Sequence, residues 1–153
     1  MSAATTLAPP PSAPQLPLRV RRLAYAGLVP FVVGAALVWL VREDVRADAA
    51  LVLAAYAALI ASFLGGIHWG GALRDAELHG AALAWGVVPS LVAWPAVLMP
   101  AHAGLVILGL LLAGCYAVDR RLYPALGLAH VLTLRFRLSA LAALSCFIGA
   151  AGA

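Results

Sequence analysis

The residues able to do chemistry in this chain are few, and His68 stands out among them. It lies inside a long apolar run and is followed by Trp69. An ionisable side chain in such a run is a candidate ligand, proton carrier or quinone contact. The plainer reading is an interfacial histidine beside a belt tryptophan, satisfied by water, headgroups or a backbone carbonyl. His68 sits about one turn from the expected end of its run, which favours that plainer reading. Asp119 is the second candidate, closing an apolar run one turn beyond Cys115 and near Tyr116. An acid at a helix C-terminus opposes the macrodipole and calls for a cation. Arg74, Arg135, Arg137 and a protonated His68 are the available ones, and a structural ion pair is the preferred reading.

Other reactive types are placed less usefully. His79, His102 and His130 fall in expected loops, His102 on the opposite side from the rest, so no histidine pair spans a bilayer centre as a bis-histidine haem requires. Cys115 and Cys146 lack metal-ligand or redox spacing and read as packing residues. Arg42-Glu43-Asp44-Arg46-Asp48 alternates in sign and reads as a solvated external loop. The chain has no phosphate-binding glycine loop, nucleophile elbow, zinc-protease motif or paired intramembrane carboxylates. No catalytic residue and no metal site is therefore expected, and the enzyme classes legible from motifs drop out.

The elements that must position these residues are set by composition. Of 153 residues, 65% are apolar and 10% charged, with a mean hydropathy of +1.01. Soluble domains run near roughly 45–50% apolar and about 25% charged, so a soluble globular reading is excluded. The ten basic residues are all Arg, and they gather at the ends of apolar runs without interleaved aromatics. That is a topology signal and not a nucleic-acid groove.

The fold class is therefore all-α, an integral membrane bundle of about five transmembrane helices. Residues 1–18 form a Pro- and Ala-rich tail expected to be disordered. The basic residues Arg19, Arg21 and Arg22 follow this tail, so the first apolar run reads as a retained helix and not a signal peptide. Residues 19–153 form a single transmembrane domain with helices over 23–41, 49–73, 81–99, 103–118 and 138–153. The last start can slip back toward Val131, with Arg135 and Arg137 snorkelling to the headgroups. With the N-terminus in the cytoplasm, eight arginines lie inside and two outside, so the positive-inside rule predicts N-in and C-out. A fifth run lying flat at the interface is the architectural alternative.

Small residues mark where the helices approach one another. Gly66 and Gly70 make a GxxxG pair, while Ala61, Gly65 and Ala72 share the opposite face with His68. This places the second helix at the bundle centre with close neighbours on both sides. Ala82, Gly86 and Ser90 repeat the device in the third helix, and Pro30 and Pro89 are expected to kink the first and third.

Three strings together resemble a known family: Tyr25-Ala-Gly27-Leu-Val-Pro30-Phe31, then Ser62-Phe-Leu-Gly65-Gly66-Ile-His68-Trp69-Gly70, then Trp85-x-x-x-Pro89-Ser90-Leu-x-x-Trp94. The chain resembles the domain of unknown function 3429 family, the one that includes animal transmembrane protein 69. Asp119 and Leu134-Arg135 ahead of a last helix fit the same pattern. The resemblance covers most of residues 23–150 and weakens around 120–134. It implies a five-helix integral membrane protein, at the inner membrane in bacteria, with no activity to carry over. Its most specific string contains His68, which makes His68, Trp69, Asp119 and Arg135 the candidate ligand or partner contacts.

The leading functional expectation is a non-enzymatic accessory or assembly component. It would pack against another membrane protein or a second copy within the lipid bilayer. No cofactor is expected on this reading. A quinone- or haem-binding protein using His68 is the alternative, and a small transporter is the second.

Overall fold

The computed structural model describes residues 16–73 and 80–153. The expected tail up to residue 15, Arg74 and His79 lie outside the described residues. The described residues are helical throughout, with no strand: α1 (Leu18–Ala26), α2 (Val29–Leu40), α3 (Glu43–Ala72), α4 (Gly80–Leu98), α5 (Ala101–Leu122), a 3-10 turn (Ala129–Val131) and α6 (Leu132–Gly152). With α1 and α2 taken together, and the 3-10 turn taken with α6, five helices are long and apolar enough to cross a membrane.

The helix ends differ from the sequence expectation for physical reasons. The chain turns at Gly27 and Leu28, and Pro30 falls in the first turn of α2 instead of inside a helix. A proline ring clashes with the carbonyl four residues back, but the first helical turn tolerates it. The expected kink is thus a break, and Tyr56 Oη donates to the Gly27 carbonyl there at 2.9 Å. Pro89 lies inside an unbroken α4, joined by Pro95.

α3 begins at Glu43 and absorbs most of the expected external loop. Glu43 and Asp44 occupy its first turn, where acids complement the macrodipole. α5 begins at Ala101, so His102 lies in its first turn. At the other end α5 runs on to Leu122, followed by a Schellman closure: Leu128 N–H donates to the Tyr123 carbonyl at 2.8 Å and Gly127 N–H to Pro124 at 3.2 Å. Gly127 has φ +71°, which this motif requires and glycine adopts freely.

α6 starts at Leu132 and runs alongside α2. Near its far end Trp39 Nε1 donates to the Ile148 carbonyl at 3.0 Å, and Gly152 lies against the Trp39 indole. It is a full member of the bundle and does not lie flat across its end.

α3 is central, packed by α2, α4, α5 and α6. Ala50, Ala54, Ala57, Ala61 and Gly65 on its buried faces let those neighbours come close. The tightest approach is between Gly65 and Gly86, where a Cβ built on Gly65 would stand 2.2 Å from the Gly86 carbonyl oxygen. The Trp69 ring covers Gly86 from the α3 side. Gly66 and Gly70, expected to form a packing pair, have nothing within 4 Å of a built Cβ and face outward. The reason is rotational: one residue on from Gly65 turns the backbone about 100° away from α4. Ser90 is half-buried on α4.

These contacts separate two sets of glycines. Gly65→Ala must push α3 and α4 apart and is expected to cost about 1–3 kcal/mol. Gly66→Ala and Gly70→Ala should be neutral or stabilising by up to about 1 kcal/mol. Thermal unfolding of the purified variants in one detergent reads the difference.

Candidate functional site

α3 and α5 run in the same direction and α6 against them, so the last turns of α3 and α5 meet the first turns of α6 at one end of the bundle. His68, Asp119 and Arg135 come from those three places. His68 Nε2 lies 2.8 Å from Asp119 Oδ1. On the other side of the carboxylate, Arg135 Nε lies 2.8 Å from Oδ2. Arg135 Nη1 then donates to Ser139 Oγ at 2.6 Å, one turn further along α6. Three helices are thereby joined through a single carboxylate.

The cluster is inside the protein. His68 and Asp119 are each 1% exposed and Arg135 6%. Arg135 does not snorkel outward as expected. Its guanidinium turns inward because an unpaired buried carboxylate would cost more than bringing the arginine to it. Arg137, two residues on, faces outward. His68 is likewise not an interfacial residue satisfied by water or headgroups, because its partner is Asp119. An ionised carboxylate only accepts, so Nε2 carries the proton that it donates to Oδ1.

Sequence reasoning missed two members. Tyr123 is buried beside His68, their ring centroids 5.5 Å apart at a tilt of 53°. Burial, and next the Asp119 carboxylate, push its phenol above the ordinary value, so the hydroxyl keeps its proton. Ser139 is the other. Both stand four residues beyond a charged member, Tyr123 after Asp119 and Ser139 after Arg135. Residues four apart share a helix face, and that spacing was the available signal.

Trp69 stands apart from the cluster, half-exposed over Gly86. His102 and His130 are exposed and are not members of the cluster. Cys115 and Cys146 are free and buried, as packing residues should be. Among the described residues no group of three or more His, Cys, Asp or Glu could hold a metal ion. His68 Nδ1 and Arg135 Nη2 have no hydrogen-bond partner among the described residues.

An all-helical bundle with five membrane-length apolar helices and His68, Asp119 and Arg135 buried inside it defines a small multi-pass membrane protein. The family model described as a protein of unknown function, DUF3429, matches residues 16–151, and the chain belongs to that family. No curated protein and no solved structure matches the chain.

Loss of one member from a buried ion pair leaves the other uncompensated. Asp119→Ala is expected to lower unfolding stability by about 3–5 kcal/mol. His68→Ala removes one hydrogen bond to a charged group and should cost less, about 1.5–3 kcal/mol. Arg137→Ala, outside the cluster, should stay within about 0.5 kcal/mol. Denaturant unfolding in mixed micelles measures all three.

Proposed function

We propose that this protein is a non-enzymatic component of a membrane assembly, working through the helix surface it presents and not through a reaction centre. The observation that carries this reading is that the two buried charged side chains, Asp119 and Arg135, are paired with each other inside the bundle. Asp119 engages His68 and Arg135, and Arg135 engages Ser139. A centre built for chemistry would leave a reactive atom open to a cleft, whereas His68 and Asp119 are closed off inside the bundle. The outward faces carry large apolar side chains, among them Leu59, Phe63, Trp94 and Leu110, suited to lipid or to another membrane protein.

The same geometry weighs against the cofactor alternative. His68 Nδ1 is the ring nitrogen left without a partner, but the residue is 1% exposed, so a haem or quinone would have to part the packed helices to reach it. A multi-pass protein of the bacterial inner membrane with its N-terminus in the cytoplasm completes the proposal. The arginine imbalance, eight against two, supports that orientation, and the family resemblance is what suggests the inner membrane.

Purification in mild detergent, with an absorption spectrum and organic extraction of the same sample, tests the reading. The expected result is a colourless protein without stoichiometric quinone, migrating on native gels in an assembly larger than the monomer. A Soret band, or a one-to-one quinone that disappears in His68→Gln, would overturn it.

A further inference from the structure

Beyond the buried cluster, α1 carries a feature of its own. Its sequence, Leu18-Arg-Val-Arg-Arg-Leu-Ala-Tyr-Ala26, holds three arginines and no acid. Arg21, Arg22 and Tyr25 line a shallow, open groove along one face of α1, with Leu18, Ala26 and, beyond the turn, Val29 beside them. Two arginines and a tyrosine thus share one helix face with apolar side chains.

Position decides what such a groove meets. α1 leads directly into apolar α2 and counts with it as one membrane-length helix, Leu18–Leu40. The arginines therefore stand at the end of a span, at headgroup depth, while Val29 belongs to the apolar part. An arginine fork matches phosphate oxygens and remains charged at all working pH values. The break at Gly27–Leu28 separates α1 from α2 at the edge of this groove.

We propose that this groove is a binding site for the headgroup and upper acyl chain of an anionic phospholipid, with Arg21 and Arg22 on the phosphate and Leu18, Ala26 and Val29 along the chain. Charge complementarity selects this occupant over the chain's own N-terminal segment. Residues 1–15 contain no ionisable side chain and offer nothing to two arginines.

Native mass spectrometry of the full chain in mild detergent tests the proposal, with phosphatidylglycerol, phosphatidylcholine of the same acyl chains, and inorganic phosphate as probes. The expected result is retention of one phosphatidylglycerol in preference to phosphatidylcholine. Arg21→Gln with Arg22→Gln should weaken phosphatidylglycerol roughly 25-fold, on the order of 1 kcal/mol for each arginine. Arg21→Lys with Arg22→Lys should keep most of the preference, and Arg42→Gln with Arg46→Gln at the opposite end of the bundle should leave it unchanged. Thermal unfolding in the same detergent confirms that each variant is folded. Equal retention of the two lipids would overturn the proposal, and so would equal losses in both glutamine pairs, which would mean net charge alone. Displacement by inorganic phosphate at similar concentration would assign the site to a free anion. Tighter lipid binding after deletion of residues 1–15 would assign the groove to that segment.

Discussion

A carboxylate inside an apolar bundle must have its charge met from within, and Asp119 sets that condition for the rest of this structure. Water is the usual solvent for such a group, and the desolvation cost of burying it amounts to several kcal/mol. Asp119 is 1% exposed, so the compensation comes from His68 on one oxygen and Arg135 on the other. Because those residues sit on α3 and α6 while Asp119 sits on α5, balancing one charge fixes three helices at one end. The register of α6 follows: Arg135 must enter the bundle, so α6 begins at Leu132 and Ser139 comes round to hold the guanidinium.

Away from that end the helices are held by shape. Lipid gives little hydrophobic reason for apolar helices to associate, so close backbone approach and local polar contacts take over. Gly65 against Gly86 brings α3 onto α4, Gly104 lies against the Ala96 carbonyl beside the α4–α5 turn, and Gly109 seats the Phe147 ring between α5 and α6. Tyr56 on the Gly27 carbonyl and Trp39 on the Ile148 carbonyl add polar contacts along α2. The bundle thus combines a charged clasp at one end with small-residue seams along its length.

Much of the architecture was legible because bilayer thickness and helix rise leave little freedom. The five apolar runs, the central place of the second membrane span and the close packing at Gly65 and Gly86 all follow from pattern alone. Helix ends were less legible. Glu43 and Asp44 look like a solvated loop until the helix dipole gives them a place in the first turn of α3, and Pro30 converts an expected kink into a break. The site was legible in its members but not in its burial. His68, Asp119 and Arg135 could all be singled out as ionisable groups near helix ends. Whether Arg135 points to headgroups or into the bundle depends on where Asp119 sits in three dimensions, which no local pattern encodes. Gly66 and Gly70 show the same limit: a GxxxG spacing says that a face is smooth, not that anything packs on it.

The central claim is that Asp119 and Arg135 act as one unit across α5 and α6. A double-mutant cycle of Asp119→Ala and Arg135→Ala, read as unfolding free energy in mixed micelles, measures their coupling directly. If the account holds, the double variant loses less than the two single variants together, by more than about 1 kcal/mol, since each single change leaves a charge buried alone. Losses that add to within about 0.3–0.5 kcal/mol would contradict it and show that the two residues contribute independently.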